Sequence, residues 1–125
     1  MIFDTDVLIW FLRGNEKAVE IIENSIPFSI SIITYMELLQ GMKSRQEMMR
    51  MRRAFKTMDV NIIPVNENIS LQAARYVEEY SLSDSMQLAD ALIAATCVQR
   101  KELLYTANDK HYKVVKELQM KVFRP

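Results

Sequence analysis

Short strand-like runs and helix-periodic segments take turns along this chain, and that alternation leaves few folds open. MIFD (1–4) reads as a short buried strand, and the apolar run VLIWFL follows at once. PFSISI (27–32) alternates like a strand after Pro27, VNIIPV (60–65) is a third, ELLYT (102–106) a fourth, and KVFRP offers a fifth. Between them, NEKAVEIIEN places Ala18, Ile21 and Ile22 at helical spacing behind Asn15, a helix-starting residue. One long helix is expected from Thr34 to about Met58, with Gly41 as a close-packing point or kink. SLQAARYVEEYSL (70–82) aligns Leu71, Ala74 and Val77 on one side. QLADALIAATCVQR (87–100), capped by Ser83 or Ser85, is apolar on nearly every face and so should be buried. A loop and short helix follow Asn108. Strands alternating with helices predict an α/β fold with a mostly parallel central sheet. With 125 residues, no repeat and no linker, one domain spans 1–125.

Composition removes several function classes. Two glycines leave no Gly-rich phosphate loop. One cysteine, Cys97, excludes a disulfide framework and reads as a small core residue. The single histidine, His111, excludes a His-rich zinc site and is expected at the surface or behind a site. No apolar run is long enough to span a membrane, and the N-terminus carries no basic leader, so the expectation is a cytoplasmic protein. The net charge of zero hides segregation: residues 43–56 hold six basic residues and one acid, while 57–99 hold six acids and one arginine. The last 26 residues hold seven basic and three acidic. Such basic surface is either a solvated face or a polyanion contact. Trp10 and Phe11 are expected in the core or at a dimer contact. Tyr76 and Tyr80, one turn apart, are expected to face a partner. The Met-rich stretch (Met42, Met48, Met49, Met51, Met58) is expected to be plastic core or interface, and to carry whatever exposed apolar surface a partner would need.

Three carboxylates stand where their neighbours want to be buried. Asp4, with Asp6 close by, lies inside MIFDTDVLIWFL; Glu37 is the only charge in PFSISIITYMELLQGM; Asp90 is the only charge in LADALIAATCV. An ionised carboxylate in apolar surroundings costs several kcal/mol unless paired or bound to metal. No arginine lies within any of these runs, so convergence on one shared cation is the economical arrangement. Carboxylate oxygens select a hard ion, Mg²⁺ or Mn²⁺. In open parallel sheets ligands bind beyond the carboxyl ends of the strands, where Asp4, Glu37, Asn108 and Asp109 fall; Asp90 joins them by burial. Such a cluster can activate water for displacement at phosphorus. Lys43 and Arg45 follow Glu37 closely and are candidate phosphate contacts. A phosphotransfer receiver would need an Asp where Pro64-Val65-Asn66 stands, and a haloacid-dehalogenase phosphatase would need Gly-Thr where Val7-Leu8 follows Asp-x-Asp.

The same runs resemble a known family. FDTDVLI, ITYMELLQG, LADALIAATC and TANDKHY are similar, in order, to the four motifs of PIN-domain nucleases, and the length resembles the toxin ribonucleases of VapBC toxin–antitoxin pairs. The resemblance implies a three-layer α/β/α sandwich and a homodimer. It implies metal binding by Asp4, Glu37 and Asp90, completed by Asn108 or Asp109. Asp6 would be a ligand or lie just behind one, and Thr5 and Thr106 would give hydrogen-bonding support. It further implies divalent-metal-dependent endonucleolytic cleavage of RNA by metal-activated water, and a separate antitoxin partner. The alternative is a PIN-like nucleic-acid or protein binding module whose catalytic site is unused.

Overall fold

The computed structural model describes residues 1–125. Strand β1 (Ile2–Phe3) leads through α1 (Thr5–Leu12) and α2 (Glu16–Glu23) to β2 (Ser29–Ser31). Helices α3 (Ile32–Gln40) and α4 (Arg45–Thr57) connect to β3 (Asn61–Ile63), and α5 (Glu67–Asp84) and α6 (Leu88–Arg100) connect to β4 (Leu104–Thr106). The short α7 (Asp109–Tyr112) precedes β5 (Met120–Val122). The five strands lie in the order β3-β2-β1-β4-β5, and every neighbouring pair is parallel.

Successive strand residues point to opposite faces, and here they feed two separate cores. Ile2, Ile63 and Leu104 pack with Ile69, Tyr76 and Ile93 of α5 and α6. Phe3 and Ile30, with Ile62 and Tyr105 at the margin, pack with Leu8, Ile22, Leu38 and Phe55 of α1 to α4. The result is a sheet between two helical layers, as the alternation of strands and helices predicts. Phe3 anchors the second core, edge-on to Phe28 at 4.9 Å and stacked on Tyr105 at 5.6 Å. Burying a side chain of that size contributes about 1.5–3 kcal/mol.

The strand order creates one special place. The chain steps outward from β1 to β2 to β3, then returns to the other side of β1 to form β4 and β5. Helices leaving β1 and β4 therefore diverge, opening a crevice at the carboxyl ends of these two strands. Ile2 is opposite Leu104 and Phe3 opposite Tyr105, so Asp4 emerges beside Thr106.

Local chemistry sets the helix boundaries. The extended Asp4 accepts the Thr5 N–H at 2.8 Å, turning β1 directly into α1, so VLIWFL is helical. Asn15 caps α2 through the Ala18 N–H, as expected. The single helix expected from Thr34 to Met58 is instead two, because residues 41–44 form a turn. Ser44 accepts the Glu47 N–H at 3.1 Å, and the Glu47 carboxylate accepts the Lys43 N–H at 3.0 Å, a start signal inside an otherwise helical stretch. Neither Ser83 nor Ser85 caps α6: Ser85 ends α5 in the left-handed conformation, and Asp90 reaches back to the Gln87 N–H at 3.4 Å. Tyr76 does not face a partner. It is 2% exposed and its hydroxyl donates to Glu117, a residue brought in from beyond β4. The Met-rich stretch also turns inward: Met51 is buried, Met42, Met48 and Met58 are half-buried, and only Met49 is exposed. Trp10 and Phe11 are half-buried against the second core, and Cys97 is fully buried.

Candidate functional site

Asp4 is the centre of the crevice. It is 5% exposed, and its oxygens are gripped from both halves of the fold. Thr106, at the end of β4, donates to Oδ2 at 2.7 Å, and the Tyr112 hydroxyl, from α7, donates to Oδ1 at 3.2 Å. The same hydroxyl lies 3.4 Å from Asp90 Oδ1, so one proton is shared between two carboxylates. Asp90 comes from the first turn of α6, and its Oδ2 lies 3.4 Å from His111 Nδ1. On the other side, Thr5 donates to Glu37 Oε1 at 2.6 Å and lies 3.1 Å from the Thr34 hydroxyl, which joins α1 to α3. Asp6 accepts the Ala107 N–H at 3.3 Å through Oδ1, while its Oδ2 is buried with no partner.

The electrostatics are those of acids held together with no lysine or arginine among them. Burial, and then the neighbouring Asp6 charge, push the Asp4 carboxyl from 3.8 up to about 7. Burial also raises Asp6. Tyr112 is held far above its ordinary range by burial and by the Asp4 and Asp90 charges, so it stays a donor. No three carboxylate, imidazole or thiol groups stand close enough to share one ion. Asp4 and Asp90 are linked through the Tyr112 hydroxyl, and Asp4 and Glu37 through Thr5, whose N–H donates to Asp4 and whose hydroxyl donates to Glu37. The donor chemistry still fits a hard divalent cation. The oxygens are carboxylate oxygens, one of them on Asp6 is orphaned, and no arginine or lysine satisfies the group.

The remaining candidates lie outside this network. Asp109 turns to Arg124, whose guanidinium donates to it at 2.9 Å and holds its carboxyl below the usual range. The Asn108 side chain is exposed, and the residue is tied in through its backbone, its N–H donating to the Thr106 hydroxyl at 2.9 Å and its carbonyl accepting the His111 N–H at 3.0 Å. Lys43 and Arg45 are exposed between α3 and α4, with no side-chain contact to the acids. Sequence reasoning missed Tyr112 and Thr34. The aromatic in TANDKHY was the available signal for Tyr112. Beside Glu37 an apolar cleft of about 670 Å³ opens between α3 and α6, lined by Ile33, Met36, Leu88 and Leu92 among others.

A model of the PIN-domain family matches residues 1–117. The chain belongs to the PIN-domain family. PIN domains are generally nucleases. Among solved structures, a chain of a toxin–antitoxin complex from Klebsiella pneumoniae matches with a TM-score of 0.78 at 30% identity, over 94% of this chain and 93% of that one. A chain of VapBC-1 from nontypeable Haemophilus influenzae matches at 0.79 and 23% identity, over 98% of each. One from a DNA-bound VapBC of Salmonella typhimurium matches at 0.82 and 18% identity, over 97% and 96%. The last two bear on the fold alone, and it is the same PIN fold. No curated protein matches the chain. No helix of this PIN domain is long and apolar enough to cross a membrane.

Proposed function

We propose that this PIN domain is a divalent-metal-dependent endoribonuclease of the cytoplasm, the toxin of a toxin–antitoxin pair, working as a homodimer. The observation that carries the reading is the buried Asp4 at the switch point, bridged by Tyr112 to the half-buried Asp90 and beside an orphaned Asp6 oxygen, in a chain of this family. Asp4, Asp90 and Glu37 would hold Mg²⁺ or Mn²⁺ by turning from their hydroxyl partners onto the ion, with Asp6 beside them. When bound, the ion would supply positive charge for hydrolysis at phosphorus. The protein's own groups do the rest. Thr106 and Tyr112 fix the two faces of Asp4, and Thr5 orients Glu37. Asn108 and Asp109 sit at the rim; Asp109 joins the ligands only by leaving Arg124. Lys43 and Arg45 would meet substrate phosphates.

Exposed apolar side chains support a protein partner: Met36 is 46% and Leu88 70% exposed in the cleft beside Glu37. The Klebsiella pneumoniae neighbour is a chain of a toxin–antitoxin complex, which supports an antitoxin here. The deciding experiment is cleavage of a mixed structured RNA pool with Mg²⁺, Mn²⁺ or EDTA, beside Asp4→Asn. Metal-dependent cleavage lost in the variant is the expected result, and equal cleavage by both proteins overturns the assignment. The second reading, a binding module with an unused site, draws on the capture of Asp109 by Arg124. Metal-binding calorimetry on the same two proteins separates it: a binding module gives no heat that depends on Asp4.

A further inference from the structure

The strongest unassigned feature lies on the outward face of α4. Arg45, Met49, Arg52, Arg53 and Lys56 recur at spacings of four, three, one and three, which places them on one side of a helix. The opposite side, Met51 and Phe55, is buried in the second core, so the stripe faces solvent. From Arg45 to Lys56 it runs roughly 16 Å at the helical rise. None of its four cations forms an ion pair; the ion pairs of the chain join Met1 and Arg100 to Glu102, His111 to Asp90, and Arg124 to Asp109. The only acid on the helix, Glu47, is occupied by the Lys43 N–H. Met49, Arg52, Arg53 and Lys56 line a hollow of about 370 Å³, with Met49 45% exposed as its apolar part.

Four unpaired cations along three turns repel one another, an arrangement that a bound polyanion relieves. Placement adds direction. Helix α4 begins at the turn leaving α3, the helix that carries Glu37. On the other face of the sheet, α5 presents Glu67, Glu78, Glu79 and Asp84 to solvent. The neutral total is thus a polarised molecule whose α5 side repels a polyanion and whose α4 side attracts one.

We infer that the outward face of α4 is a track for the phosphodiester backbone of an RNA strand, with Arg52, Arg53 and Lys56 as phosphate contacts. The inference rests on the ribonuclease reading for its choice of polyanion, but its test does not need cleavage. An acidic protein segment would meet the same charges and is an outcome of the test.

The experiment is fluorescence anisotropy with a labelled single-stranded RNA oligonucleotide, in EDTA so that no strand is cut, over a range of salt. The variants are the triple Arg52→Gln/Arg53→Gln/Lys56→Gln, the pair Arg52→Lys/Arg53→Lys, and Arg75→Gln on α5 as the opposite-face control. Losing three phosphate contacts should lower the log–log salt slope by about 2. Between about 50 and 200 mM salt, the wild-type Kd should rise roughly twentyfold more than that of the triple variant. The lysine pair should keep the wild-type slope, because the track uses charge alone, and Arg75→Gln should leave it unchanged. Far-UV circular dichroism confirms that the variants are folded. An unchanged slope in the folded triple variant overturns the track, even if wild type cuts RNA with metal. Loss of binding to a labelled polyglutamate, with RNA binding unaffected, assigns the face to an acidic protein and also overturns it. Salt-sensitive binding through these residues without any metal-dependent cleavage would keep the track and discard the nuclease.

Discussion

Asp4 ends a strand, starts a helix and faces the crevice with one carboxylate, so substitutions there must be chosen with care. Asparagine also caps helices well, whereas alanine loses the cap at about 0.5–2 kcal/mol. Asp4→Asn should therefore keep the fold and lose cleavage; an active variant would remove Asp4 from the chemistry. The raised carboxyls make a second prediction. Asp4 and Asp6 hold protons in the folded chain at pH values where the unfolded chain, with carboxyls near 3.8, has released them. Folding thus takes up protons, and their contribution to stability is lost as pH rises from about 4 through about 7. Melting temperature in EDTA should fall between about pH 5 and pH 8, more steeply for wild type than for Asp4→Asn. Mg²⁺ should restore it at the upper end by binding the folded state. A wild-type curve that climbs with pH would contradict the buried-acid geometry. Tyr112→Phe removes the proton shared by Asp4 and Asp90 and should cost roughly 10–100-fold in metal affinity, read by calorimetry.

At the scale of elements, the break between α3 and α4 carries its own test. Ser44→Ala removes the side chain that accepts the Glu47 N–H and should cost about 0.5–2 kcal/mol, measured by urea unfolding. No loss would mean that the turn is held by packing alone. This break also shows where the sequence was hard to read. Ser-Arg-Gln-Glu is a start signal, but the methionines and arginines on both sides suit a helix equally well, so periodicity ran straight across it. Elements whose identity rests on short-range pattern were legible: the strands, the Asn15 cap, and the buried α6. Features made by distant pairs were not. Tyr76 looked like a surface aromatic because Glu117 is 41 residues away. The pairing of Asp109 with Arg124, 15 residues on, has no local sign in the sequence. The acids themselves were conspicuous because each interrupts an apolar run, whereas the hydroxyls linking them are ordinary residues until the fold brings them together.

For the whole molecule, the edge strand β5 matters more than its exposure suggests. Phe123, just beyond it, is 1% exposed in the second core, and its N–H donates to Thr106 at 2.8 Å. Phe123→Ala should destabilise by about 3–5 kcal/mol. It should also loosen the Thr106 end of the crevice, seen as faster amide exchange at residues 104–108; exchange confined to β5 would show that the edge frays independently. The grip on Asp4 has a further consequence for the making of the protein. Thr106 is 102 residues and Tyr112 108 residues from the aspartate they hold. A growing chain that has reached α6 already contains Asp4, Glu37 and Asp90, yet lacks the strand and hydroxyls that set Asp4 in place. During synthesis the ribosome therefore carries the ingredients of the site and not the site itself, which closes only after β4 and α7 have emerged and docked.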